Sequence, residues 1–386
     1  MSLVALVSGV ALASQPAQAE QTWGYVVGSF STATYADDES CPEGINPEGK
    51  ELDRRNLLSL GYTPDEAQKI LLEGPASVGA DWSILPMRGR IDGKPVNVFT
   101  YPESVPDPHI KTLRGSIAYG FNLDGQVTAE DFQDPETGAS GIDNQLFRAV
   151  GCLQEYHINL PVRPLYEAMM WNYAIDTMPA WLISITGSDL RGDGPVTVRF
   201  LKATHHPERD ADKGILAGVT YLIADEPDPG INTFEGRIEN GMLTVQPGDL
   251  RLPGESPILT ELDLAEAQLR FRFLPDGGGL QGFVGGYQPW LDFYFMHAAL
   301  GSANEQSGND VPGIYYALKR LADADPDPDS GANRRISAAY QLQAMPAFLA
   351  TREGQVVAVP GEPPEQSRAN ELTLNGNPTK RDGSSE

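Results

Sequence analysis

The sequence predicts an α+β protein, with a mixed N-terminal part to about residue 175 and then a mainly antiparallel β-sandwich or barrel with a few short helices. Three observations carry that expectation. Stretches rich in β-branched and aromatic residues recur from residue 181 onward, split by Gly- and Asp-rich turns. Helical start and stop signals stand apart from them, in the first part and near the end. A chain of 386 residues with 40 glycines and 31 prolines can bury a sizeable core and still supply many turns.

In chain order, residues 23–30 read as a strand leading into the acidic loop Asp37-Asp38-Glu39. Thr63-Pro64-Asp65-Glu66 is a capping box with proline in the first helical turn, and Gly74 marks the stop. Residues 88–99 read as a hairpin turning at Asp92-Gly93, and 113–121 as another strand. Helices are expected over 143–156 and 164–176. Strands then follow at 181–186, 196–202, 215–224, 233–238, 242–245, 267–273 and 280–284. Helices at 290–300 and 312–322 interrupt before a last strand near 336–342. The tail, 351–386, is rich in Pro, Gly and charge and reads as disordered.

The resulting division is a signal peptide over 1–19, a mixed region over 20–175, a β-rich domain over 176–350 and the tail. Residues 3–13 are apolar, and Ala17-Gln18-Ala19 has the small-x-small form of a signal-peptidase site. No Lys or Arg precedes the apolar run, so either the start is truncated or the signal is atypical. The run is also shorter than the ~20 residues of a membrane-spanning helix. Export to the periplasm or the medium is therefore expected, with no membrane span. Export makes a Cys41–Cys152 disulfide the preferred reading of the two cysteines, with two buried thiols as the other.

Asp and Glu number 53 against 28 Lys and Arg, a net charge of −25. That balance argues against nucleic-acid partners, which reward basic patches, and suits a basic protein partner or an extracellular ligand. No G-x-S-x-G, H-E-x-x-H or C-x-x-C occurs, so three common hydrolytic, metal and redox signatures are missing.

The segment 120–131 can be set against a calcium loop. Asn122 and Asp124 fall at positions 3 and 5, Gly125 at the sharp turn and Gln126 at the carbonyl position. Thr128 falls at position 9 and Asp131 at the closing position. Gly120 stands where an Asp is usual, and a hairpin with an Asp-Gly turn fits the same residues. A second acidic run, Asp323, Asp325, Asp327 and Asp329, is either another Ca2+ collector or a solvated loop stiffened by prolines. Tyr287, Trp290, Asp292 and Phe293 could line a ligand pocket or form the buried face of a helix.

The motifs Asn122-Leu-Asp124-Gly125, Gly141-Ile-Asp143-Asn144-Gln145-Leu146 and Gly285-Gly286-Tyr287-Gln288-Pro289-Trp290 resemble those of a family of uncharacterised exported bacterial proteins. The resemblance spans about 37–348 and implies bacterial origin and export, with no activity attached. The expected role is an exported binding or structural protein stabilised by calcium. A secreted carboxylate-dependent hydrolase acting on a polysaccharide is the alternative, since paired Asp or Glu across an aromatic cleft is all that chemistry needs.

Overall fold

The structure is a computed structural model that describes residues 20–362 except 161, 225–230, 256–258, 260, 276–277 and 307. The expected signal peptide and most of the tail lie outside the described residues. Strand β1 (Gln21–Thr32) is followed by helices α1 (Gly49–Ser59) and α2 (Pro64–Glu73). Two small hairpins come next, β2 (Gly89–Ile91) with β3 (Lys94–Val96) and β4 (Phe132–Gln133) with β5 (Ser140–Ile142). Helices α3 (Gln145–Val150) and α4 (Leu165–Ala174) complete the first part.

The second part runs β6 (Trp181–Gly187), β7 (Gly194–Lys202), β8 (Thr220–Leu222), β9 (Thr233–Glu239), β10 (Met242–Val245), β11 (Gly248–Pro253), β12 (Glu261–Phe273) and β13 (Leu280–Pro289). Helices α5 (Trp290–Ala299), α6 (Gly301–Gln306) and α7 (Val311–Leu321) follow. The chain then adds β14 (Ala324–Pro326), β15 (Asn333–Pro346), β16 (Phe348–Ala350) and β17 (Val356–Pro360).

The mixed α+β class holds, and the long strands close on themselves. The antiparallel ladder runs β15-β13-β12-β10-β9-β7-β6-β1, and β1 pairs back onto β15, from Tyr25 opposite Pro346 to Thr32 opposite Tyr340. Eight staves of alternating sequence give a barrel whose inside is filled by side chains. Trp23, Tyr25, Val27, Ile183, Val198, Phe200, Phe271, Val284 and Leu342 all belong to one buried cluster there. Phe30 stacks on Tyr340 at 4.7 Å and meets Trp181 edge-on at 5.4 Å. The same cluster continues into α4, α5 and α7 through Trp171, Phe293 and Ile314. The first part is therefore tied into the barrel, because β1 is one of its staves.

Several expectations are corrected. Residues 113–121 form no strand, making single bridges only at Ile117 and Phe121. Only Thr220–Leu222 of the segment 215–224 is a strand, and the helix expected over 143–156 stops after one and a half turns. The tail does not begin at 351, since β17 lies parallel to β1 with Trp23 opposite Val359. It packs with β8 and β16 over Val26, Leu182 and Tyr221 on the barrel's outer wall. Strands β12, β13 and β15 are longer than expected, because sheet pairing carries them through polar and glycine residues that a local pattern reads as loop. The disulfide is present, with the Cys41 and Cys152 Cα atoms 5.8 Å apart.

Candidate functional site

The three sequence motifs meet at one place. Phe121 bridges Asp143, whose N–H donates to the Phe121 carbonyl at 2.8 Å. Two glycines make that approach possible. A Cβ at Gly120 would stand 2.8 Å from Ile142, and one at Gly141, which has φ +80°, only 2.4 Å from the Gln126 carbonyl. The Gly at the first loop position is thus fixed by packing.

Inside the loop, hydrogen bonds occupy most of the oxygens a cation would need. Asn122 donates its amide to the Gln126 carbonyl at 2.7 Å. Asp124 accepts from the Gln126 N–H and side chain, at 2.8 and 3.1 Å. Both Asp131 oxygens are taken by Thr128, its N–H at 2.5 Å and its hydroxyl at 2.9 Å. Asn122 Oδ1 is buried with no hydrogen-bond donor.

The second acidic run is split. Asp323 accepts from the N–H and hydroxyl of Ser337 at 2.7 and 2.6 Å, and Ser337 Oγ in turn accepts from the first amide of α3, Gln145 N–H, at 2.9 Å. Asp325 pairs with Arg334 at 2.8 Å, and Asp327 caps its own turn through the Asp329 and Ser330 amides. Asp329 is exposed beside them. Among the described residues, no group of three or more His, Cys, Asp or Glu side chains is placed to hold a metal ion.

The junction is electrostatically distinctive. Asp143 is buried, accepts the Leu123 N–H at 2.7 Å, and burial pushes its carboxyl up to about 6. Asp323 is also raised, chiefly by crowding around the carboxyl although the residue reaches solvent. Half-buried Tyr287 lies within the field of Asp143, Asp323 and Asp124; burial first and then those charges keep its phenol protonated. Sequence reasoning placed Tyr287 with Trp290 and Phe293, and the structure separates them. Trp290 and Phe293 face the core, with Trp290 donating to the Asn333 carbonyl at 3.1 Å. Asp292 is exposed, near Asp263 and Arg335.

The other face of the same helix lines a groove of about 510 Å³. Because α5 is apolar nearly all round, burying Trp290, Phe293, Tyr294 and His297 still leaves Leu291 and Phe295 facing out. Tyr294 forms the floor, its hydroxyl donating inward to the Phe99 carbonyl at 2.6 Å. Phe295, 56% exposed, Leu291 and Tyr315 make one wall. Tyr101, 51% exposed, Pro102 and Ile91 make the other. Arg90, Glu103, Thr100 and Ser104 supply the polar rim. Glu103 is held by the Tyr315 hydroxyl at 2.9 Å and by Lys319, and these contacts lower its pKa. The signal for these residues was present in the sequence as an apolar helix with no polar face, but Tyr101 and Tyr315 come from segments that only the fold brings together.

The chain matches no family model, and neither the curated proteins nor the solved structures show a similar protein.

Proposed function

We propose that the protein is an exported binding protein whose ligand is a neutral carbohydrate chain lying in the groove between α5, α7 and residues 90–104. The observation that carries this reading is the open aromatic groove itself. Tyr101 and Phe295 stand half exposed across it, over a buried tyrosine floor. Contiguous apolar surface of this kind marks an interaction site, and its volume of about 510 Å³ suits a few sugar rings. Aromatic faces stack on the apolar C–H faces of sugars, while Arg90, Thr100 and Ser104 offer hydrogen bonds to the ring hydroxyls. Export is supported by the Cys41–Cys152 disulfide, which persists in an oxidising compartment. No helix among the described residues is long and apolar enough to cross a membrane. Calcium is left out of this reading, because the loop 120–131 already satisfies most of its own oxygens.

The test is affinity electrophoresis through gels containing neutral polysaccharides, with the Tyr101→Ala/Phe295→Ala double variant as comparison. One or more polysaccharides should retard the wild type. The variant, losing two stacking faces worth about 1 kcal/mol each, should bind roughly tenfold or more weakly. A wild type that no polysaccharide retards, or a variant retarded equally, removes the proposal.

A second reading, carboxylate-dependent hydrolysis of a polysaccharide, draws on one observation: two carboxyls with raised pKa, Asp143 and Asp323, beside Tyr287. A carboxyl near 6 is suited to general acid work at neutral pH. Release of reducing ends by the wild type and its loss in Asp143→Asn would favour it over binding alone.

A further inference from the structure

A second groove, of about 400 Å³, lies on the outer wall of the barrel, away from the aromatic one. Its floor is made by β1 and β15. The register of these strands slips between Val27 and Ser29, a bulge that turns Gly28 and Ser29 outward; the Gly28 carbonyl is taken by Trp171 Nε1 at 3.0 Å. Tyr340, Leu342 and Ala344 of β15 point into the core, so Gln341, Gln343 and Met345 point into the groove. Asn172 of α4, Ile175 and Arg163 form one side, and Arg209, Lys213, Gly214 and Ile215 the other.

The charge of this lining departs from the rest of the molecule. Acids outnumber bases 53 to 28 in the chain, yet the described residues lining the groove include three cations and no carboxylate. Two acids beside the groove are engaged elsewhere. Asp176 accepts from Arg209 at 2.6 Å. Asp210 folds back onto its own loop, accepting the Asp212 and Gly214 amides at 2.9 and 2.7 Å. Asp212 is exposed on that loop.

The cations are also placed. Arg209 is pinned by Asp176 and by donating Nε–H to the Lys213 carbonyl at 2.8 Å. Lys213 sits at φ +66°, a left-handed conformation that lysine adopts at a cost and that the surrounding loop imposes. Around them Gln341, Gln343, Asn172 and Ser29 offer neutral hydrogen-bonding groups.

We propose that this groove binds a small polar molecule bearing an oxyanion, either a carboxylate or a phosphate. The charged end meets Lys213, Arg209 and Arg163. The body is hydrogen-bonded by the amide side chains of β15 and α4. The volume, near the lower end of ligand pockets at roughly 300–1,000 Å³, limits the ligand to a single sugar acid or a comparable phosphate ester. The site is independent of the carbohydrate reading, because it shares no lining residue with the aromatic groove.

Calorimetric titration of the full chain with two probes, inorganic phosphate and galacturonate, tests this. The variants are Lys213→Asn, since asparagine tolerates the left-handed backbone, and Lys213→Asn/Arg163→Gln; Lys69→Gln on the exposed face of α2 is the control. The wild type should bind at least one probe saturably with a dissociation constant at or below about 1 mM. Lys213→Asn should weaken that binding roughly tenfold, the double variant further, and the control not at all. Binding of phosphate alone identifies a phosphate ligand, and binding of galacturonate alone a carboxylate. Failure of both probes to saturate, or equal binding by wild type and Lys213→Asn, or equal weakening by the control, overturns the proposal.

Discussion

Removing one half of the buried Arg88–Glu305 pair should cost far more than removing both. Arg88 closes a 3-10 turn at residues 86–88 and reaches Glu305 of α6 through two parallel hydrogen bonds, Nη1 to Oε2 at 3.0 Å and Nη2 to Oε1 at 2.5 Å. The side chains are 6% and 3% exposed. Glu305 is raised to about 7, chiefly by burial, with Arg88 pulling it down and Asp310 and Asp53 pushing it up. In Arg88→Met, the carboxylate is left among two other acids with its principal counter-charge gone. An unpaired buried charge costs about 3–5 kcal/mol. The loss of the Arg88 hydrogen bond to the Leu85 carbonyl, 2.8 Å, adds about 1 kcal/mol. In Arg88→Met/Glu305→Gln neither charge remains, so most of the first figure should return. Urea unfolding followed by tryptophan fluorescence, at about pH 8 and about pH 5, reads both effects, since each pKa unit is worth about 1.4 kcal/mol. At the lower pH the orphaned Glu305 takes a proton, and the single variant should recover part of its loss. A single variant within about 1 kcal/mol of wild type at the higher pH, or a double variant no better than the single, would refute the argument that the pair answers a desolvation problem.

Cys41 and Cys152 close a loop of 111 residues, and the chain-entropy model assigns such a closure about 4.8 kcal/mol. Cys41→Ser/Cys152→Ala should therefore lower the urea midpoint with a loss of that order; a midpoint unchanged within error means the cross-link constrains little. Stability should also rise from about pH 8 to about pH 5. Asp53 and Asp143, each raised to about 6, and Glu305, raised to about 7, keep protons that the unfolded chain has lost, so their contribution falls as pH rises from the unfolded carboxylate range through those values. His297, buried and held down to about 4, works the other way, its contribution being lost as pH falls below its unfolded value of about 6.5. Three acids outweigh one histidine, so the melting temperature should increase by several degrees on acidification to about pH 5; a lower one at about pH 5 than at about pH 8 would contradict the balance.

What was legible in the sequence was local. The capping box is present as read, with Thr63 accepting the Glu66 N–H and Glu66 reaching back to Thr63 N–H at 2.8 Å. The Asn240-Gly241 turn joins β9 to β10, and α5 and α7 lie within a residue of their expected bounds. What was not legible depends on distant partners. Sandwich and barrel differ only in whether β1 finds β15 across some 300 residues, and no local pattern encodes that closure. Helix α1 escaped because its sequence is mostly polar and its buried residues include Asp53 and Asn56, which a periodicity search discounts. The two grooves escaped for the same reason as the barrel. One brings Arg163 to Arg209 and Lys213 of a distant loop, and the other brings Tyr101 to Tyr315.

Part of the acid content serves backbone chemistry. Among the described residues, Asp37, Asp81, Asp107, Asp124, Asp134, Asp189, Asp210 and Asp327 each accept the N–H of the residue two positions on, at 2.7–3.1 Å. That is one repeated device, a carboxylate standing in for a backbone carbonyl to close a turn. Long connections between barrel staves need many such turns, and aspartate closes them. Asp134 shows how the device couples to the sheet: it caps its own turn through Glu136 and Thr137 and still pairs with Arg270 of β12 at 2.6 Å. The hydrogen bonds and Arg270 hold its carboxyl below the ordinary range against the opposing effect of burial. Spacing alone cannot distinguish this use of aspartate from a calcium loop, since both require oxygens at alternate positions around a glycine turn. In segment 120–131 the carboxylates of Asp124 and Asp131 accept from Gln126 and Thr128 in the same way. The exception to the excess is a groove on an acidic molecule whose described charged lining residues are Arg163, Arg209 and Lys213.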